Sequence, residues 1–309
     1  MRKAWRFAFL AFFLMASPPA VIAHQTTGET IVVRGTPVDQ DRARQRAVDF
    51  VKRTGVANGQ KQVARWVVPV CMKIIGLRRP HAARVEQIMR GIAREANIKT
   101  AGPKCEANIT VSFAADPGKV VRYINARRPH QLRELPPAAK ERLLTGETPV
   151  RWWYATSDLD RDGVPANNIS APWISMGGTT SPLPTVDGVT TTQQYNSGSN
   201  VRTPTIRALY GATVVIDTAK AGETPIDTIA AYTAMVAFAE IDAAAPPPDS
   251  ILTLFQADSI ESSLTDWDLA FLKSLYRMPL DRRSRIQRGH LVEALLDERL
   301  PRSGVTKLR

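Results

Sequence analysis

Metal-ligating and nucleophilic side chains are scarce in this chain: two cysteines, Cys71 and Cys105, and four histidines, His24, His81, His130 and His290, are spread over 309 residues. So few cysteines exclude a disulfide-dense scaffold and a cysteine-based zinc knuckle. Neither cysteine has a histidine close by in sequence, which speaks against a catalytic thiol. The histidines lie too far apart for two of them to grip a metal from one helix. A Walker loop, a dinucleotide-binding glycine fingerprint and a Gly-x-Ser-x-Gly elbow are also missing, as is any internal repeat. After the first residues no apolar run approaches the roughly 20 residues that cross a bilayer.

What is present points to export. Arg2, Lys3 and Arg6 precede the apolar run from Phe7 to Met15, and Val21-Ile-Ala23 forms a small-residue cleavage pattern before His24. That layout predicts a secretory signal peptide over 1–23 and a mature protein that is periplasmic or secreted. With no cysteine near position 24, a lipid anchor is not expected. In an oxidising compartment Cys71 and Cys105 predict one disulfide. The net charge of +12 is uneven, because residues 273–309 hold ten Lys and Arg against four Asp and Glu. The basic helix or tail over 281–309 could meet an anionic surface, such as lipid head groups or cell-wall polymer, or could be a solvated face. Nucleic acid is not expected as a partner, since no recognisable binding module accompanies the charge.

Residues 24–64 read as a polar arm with one β-like run, Thr30-Ile-Val-Val-Arg34, then a helix starting at Asp39 or Asp41 and ended near Gly55 and Asn58-Gly59. Within 65–156, the stretch from Arg65 to Ile75 looks extended, with Pro69 as an edge or a break. A helix carrying Val85, Ile88, Met89 and Ile92 and a strand over 108–113 complete a β-α-β unit, with Cys71 and Cys105 tying its first strand to the start of its second. Short helices over 119–127 and 136–144 lead to a strand, Val150-Arg-Trp-Trp-Tyr-Ala155, with aromatic residues on both faces. Residues 157–205 are polar and rich in Gly, Ser, Thr and Pro, the composition of a binding loop or a hairpin excursion.

Residues 206–280 are the most patterned. Thr213-Val-Val-Ile-Asp217 is a strand, and Lys220-Ala-Gly-Glu-Thr-Pro225 a turn. Apolar residues then return every three or four positions through Ile226, Ile229, Tyr232, Val236 and Ala239, a largely buried helix with Thr224 or Asp227 able to cap it. Ala243-Ala-Ala-Pro-Pro-Pro248 stops that helix. Ser250-Ile-Leu leads to a last amphipathic helix with Leu269, Phe271, Leu272, Leu275 and Tyr276, capped by Thr265 or Asp266.

Strand, long helix, Ser-Ile-Leu turn and Leu264-Thr-Asp-Trp-Asp268 with its following Leu-Tyr resemble the end of metzincin-type zinc peptidases. The chain is also similar to a family of secreted proteobacterial proteins of unknown function with a zincin-like fold. The resemblance implies an α/β (α+β) class with a zincin-like mixed sheet and long helices. Laid on the family's His-Glu-x-x-His motif, however, this sequence lacks the ligand set. Tyr232 and Val236 fall where the first two histidines belong, Thr233 at the general base and Asp242 at the third ligand. A zinc site needs about three converging ligands and a carboxylate for the bound water, so peptidase activity is not expected. The expectation is a non-catalytic binding or structural module that meets an unknown envelope protein or polymer, with no cofactor.

Two other local patterns carry chemistry. Asp158-Leu-Asp-Arg-Asp-Gly163 spaces Asp158, Asp160 and Asp162 as calcium loops do, although Ile169 stands where an EF-hand needs Glu. A calcium-stabilised surface protein and an acidic turn both fit it. Trp152, Trp153 and Tyr154, with Trp173, could line a groove for sugar or peptide, or could be core. A hydrolase drawing on Asp158, Asp217, Glu240 and Asp242 is the enzymatic alternative.

Overall fold

The computed structural model describes residues 37–299, except 57, 60, 133–134, 147, 161–162, 164–172, 177–178, 183–200, 243 and 258; for 37–39, 130, 173–176 and 179–182 only the backbone is described. The chain is a mixed α/β protein in which a largely parallel sheet is accompanied by seven α-helices among the described residues.

Strand β7 (Ile206–Asp217) is the axis of the sheet. On one edge it pairs antiparallel with β4 (Val150–Leu159) along almost its full length. On the other edge two parallel strands sit end to end: β1 (Arg65–Trp66) beside Ala208 and Leu209, and β3 (Ile109–Ala114) beside 212–217. Strand β2 (Met72–Ile75) lies outside β3, in parallel. A β5–β6 hairpin (Trp173–Met176 and Thr179–Pro182) stands apart as a two-stranded sheet.

Helix α2 (Arg79–Glu95) makes the crossover from β2 to β3, and the disulfide Cys71–Cys105, with Cα atoms 6.0 Å apart, joins the residue before β2 to the approach to β3. The predicted β-α-β unit and its disulfide are therefore present. The extended stretch 65–75 breaks around Pro69, one of the two readings that proline offered. Pro69 separates β1 from β2, and each half pairs with a different partner.

One face of the sheet carries the main core: Val111, Val214, Ile216 and Leu209 pack with α2 and with α5 (Ile226–Phe238). Helices α1 (Pro37–Arg53), α6 (Asp266–Arg277) and α7 (Ser284–Arg299) extend it. The other face holds a smaller core of Trp153, Val215, Val121, Leu132 and Leu143, contributed by β4, β7, α3 (Pro117–Arg127), a 3-10 turn and α4 (Pro137–Thr145).

Several expected boundaries shift. β7 starts at Ile206 rather than Thr213, because its whole length has a partner in β4. α1 starts at Pro37, ahead of Asp39 and Asp41. It closes at a left-handed Gly55 (φ +72°), where a Cβ would stand 2.2 Å from the Asp242 carbonyl oxygen, so only glycine fits that close approach. Neither Thr224 nor Asp227 caps α5, since Pro225 occupies that position. Thr265 does cap α6, in a reciprocal box with Asp268. The predicted polar excursion holds the β5–β6 hairpin, and much of the predicted basic tail is helix α7. The β-like run over 30–34 and the signal segment lie outside the described residues. Among the described residues no helix is long and apolar enough to cross a membrane.

Candidate functional site

Helix α5 is the element on which the candidate site rests. Every residue from Thr228 to Phe238 is buried, so this is a helix packed on all sides rather than an amphipathic one. At its exposed first turn Asp227 accepts two bonds from Arg84 of α2, at 2.9 and 2.5 Å. That pairing holds the Asp227 carboxyl below its ordinary range and the Arg84 guanidinium above its own.

The last four carbonyls of an α-helix have no partner within it. Here three of them are met by aromatic donors from three other elements. Tyr154 of β4 donates its hydroxyl to the Val236 oxygen (2.6 Å), Trp66 of β1 its indole N–H to Ala237 (2.9 Å), and Tyr276 of α6 its hydroxyl to Phe238 (2.7 Å). The chain then turns extended at Ala239, and Ile241 is gripped twice. Its N–H donates to the Tyr154 oxygen (3.0 Å) and its carbonyl accepts from the Trp152 indole (3.0 Å). Burial raises the pKa of Tyr154 well above the usual phenol value and raises those of Tyr232 and Tyr276. Tyr154 and Tyr276 therefore act as neutral donors throughout the ordinary pH range.

Tyr232 fills the space between this collar and the turn after α5. Its ring lies edge-on to Trp152 (centroids 6.2 Å apart) and to Phe255 (5.3 Å). Thr233 and Val236 are completely buried, and the Thr233 hydroxyl is without a partner. Asp242 is exposed, its N–H donating to the Thr54 oxygen at 3.0 Å. The four positions laid on the metal motif are thus divided: Tyr232, Thr233 and Val236 in the core, Asp242 at the surface. Among the described residues no group of three or more His, Cys, Asp and Glu side chains comes together.

The carboxylates of the hydrolase alternative have separate partners. Glu240 forms a two-pronged pair with Arg207, one bond at 2.8 Å, and Arg207 also donates to the Thr156 hydroxyl at 3.1 Å. Asp217 is buried and accepts from the Ala219 and Lys220 amides at 3.0 Å each, closing the turn after β7. Asp158 is exposed on β4 opposite Arg207, at the other end of β7 from Asp217. Asp160 follows the end of β4, and Asp162 lies outside the described residues.

The aromatic strand does not form one lining either. Trp152 and Tyr154 face the main core, while Trp153 points the other way and is buried in the small core. Of Trp173 only its backbone position in β5 is described. Sequence reasoning missed Trp66, Phe255 and the Arg207–Glu240 pair as parts of this region. The usable signal for the first was a tryptophan in an apolar run, since a buried indole N–H needs an acceptor.

Below the end of α5, the Ser250-Ile-Leu turn is fixed to α6 by Asp268. This fully buried carboxylate accepts from the Ser250 hydroxyl (2.5 Å), the Ile251 amide (2.8 Å) and both the amide and hydroxyl of Thr265 (3.0 Å each). Burial holds its carboxyl above the usual range, and those donors act in the opposite sense.

Compared with protein-family models, curated proteins and solved structures, the chain gives no match.

Proposed function

We propose that this chain is a non-catalytic, zincin-like module exported to the cell envelope, where it binds or braces an envelope protein or polymer. The observation that carries the reading is the state of Tyr232. It stands at the position that the resemblance gives to the first metal ligand, and it is wedged between Trp152 and Phe255. Val236, at the second ligand position, is completely buried, and its carbonyl is bonded to Tyr154. Rings and neutral hydrogen bonds occupy the volume in which converging ligands and an activated water would be needed.

The scaffold half of the reading is supported by element order. Strand β7, helix α5, the Ser-Ile-Leu turn and helix α6 follow one another in the order the resemblance implies. Export is supported by the N-terminal pattern ending at Ala23 and by the disulfide.

The test is elemental analysis and a peptide-hydrolysis assay on mature protein purified from an oxidising compartment without chelator. The reading expects no stoichiometric zinc and no turnover. One zinc per chain together with peptide cleavage would overturn it.

A further inference from the structure

Among the described residues β2 is the outermost strand of the sheet, with β3 on its one paired side. Met72 and Ile74 pack on the main core, and the alternation of a strand puts Lys73 and Ile75 on the opposite face, both exposed. Ile75 is 41% exposed, and in the connection from β1 to β2 Val67 and Val68 are 41% and 48% exposed. Aliphatic side chains are thus open to solvent at both ends of this edge.

The same edge gathers unpaired positive charge. Residues 73–106 hold eight Lys and Arg against three Asp and Glu, a net +5. Arg84 is matched by Asp227 and Arg90 by Glu86. The other six, Lys73, Arg78, Arg79, Arg94, Lys99 and Lys104, are exposed and take no part in an ion pair among the described residues, and Glu95 and Glu106 are the exposed carboxylates of the stretch. Arg78 and Arg79 follow β2 directly at the start of α2, whose first turn carries no acidic residue, so the helix dipole adds to their field. The Lys99 carbonyl accepts from the Val70 amide at 2.8 Å, and the disulfide holds Cys105, next to Lys104, against Cys71. Both lysines are thereby placed at the entry to β2. A lysine on an edge strand also deters pairing with another chain, but that task gives no reason to expose Val67, Val68 and Ile75.

We infer that this edge docks on an anionic lipid surface. The cations draw the protein to negative head groups, with an attraction that grows with each charge near the surface. The aliphatic side chains enter the boundary with the acyl chains, where apolar burial adds to that attraction. A solvated anionic polymer would use the cations alone. The inference goes beyond the reading of α5, because nothing in it depends on the state of Tyr232.

The test is flotation of the full mature chain with phosphatidylcholine vesicles, with and without phosphatidylglycerol. Binding is expected to be at least about ten-fold tighter to the anionic vesicles and to weaken as salt rises. Arg79→Glu is expected to weaken it at least about five-fold. An acidic residue in a first turn suits the helix dipole, and a melting temperature no lower than wild type checks the fold. Arg285→Glu, the same reversal at an exposed position of α7, which packs on α1 and α6, is expected to change binding by less than about two-fold. Val68→Ser combined with Ile75→Ser is expected to weaken it at least about three-fold. Equal binding to both kinds of vesicle, or equal losses in Arg79→Glu and Arg285→Glu, would overturn the inference. So would unchanged vesicle binding in the double serine variant together with displacement by dextran sulfate, which gives the edge to an anionic polymer.

Discussion

Tyr154 satisfies two backbone groups at once, donating to the Val236 carbonyl and accepting from the Ile241 amide. Tyr154→Phe keeps the ring, strands the Val236 carbonyl and leaves the Ile241 amide only its 2.9 Å bond to the Ala239 oxygen, so it should lower the unfolding free energy by about 2–3 kcal/mol. Tyr276→Phe, which strands the Phe238 carbonyl, should lose about 1–2 kcal/mol in the same urea titrations. Equal losses would mean that the second bond of Tyr154 contributes nothing. Asp268 gives a pH-dependent expectation. Its folded pKa lies above the unfolded value, so the folded state holds the proton more tightly. The stability linked to it is fully present below the unfolded pKa of about 3.9 and is lost as pH rises through the folded pKa. Measured against Asp268→Asn, the wild type should lose relative stability as pH rises from about 3.5 toward neutrality. A relative gain over that window would contradict the burial argument. Glu240→Gln breaks the charge pair with Arg207 and should lower stability by about 2 kcal/mol, without touching any turnover, since the account gives this carboxylate a structural task.

At the scale of elements, the Cys71–Cys105 disulfide spans a sequence separation of 34 residues and encloses α2. In the loop-entropy picture its reduction should lower the unfolding free energy by about 3–4 kcal/mol, read as a shift in urea midpoint with and without reductant. Elements defined by local pattern were legible in the sequence: α2 and α5 from their apolar spacing, and α6 from its apolar face and a cap at Thr265 or Asp266, of which Thr265 is the one used. Pro69 offered an edge or a break in 65–75, but the separate pairing of β1 and β2 was not legible, because it depends on parallel partners at 208–209 and 109–112, far along the chain. The collar of α5 was hidden for the same reason. Trp66, Tyr154 and Tyr276 converge on consecutive carbonyls only after three separate elements have packed. The alternation in β4 did show that its aromatic residues face both ways. What it could not show is that the outer face is also covered, by α3 and α4, which turns Trp153 from a surface residue into core.

The molecule as a whole is organised around one helix, buried from Thr228 to Phe238, beneath a sheet, with a second small core on the opposite face. Of the positions where the resemblance would put a reactive centre, Tyr232, Thr233 and Val236 are packed in the core and Asp242 is at the surface. Candidate-site chemistry was legible only as missing ligands at Tyr232 and Val236; what replaces them depends on tertiary packing. A helix that exists to hold the fold together should open only when the whole protein does, whereas a helix flanking a working cleft is drawn from less stable parts of a structure. Native-state hydrogen exchange over residues 229–238 separates these. The account predicts that these amides exchange with an opening free energy within about 1 kcal/mol of the global unfolding value from urea, and fall in step with it in Tyr154→Phe. Exchange of several of them through local openings that lie several kcal/mol below global unfolding would contradict it.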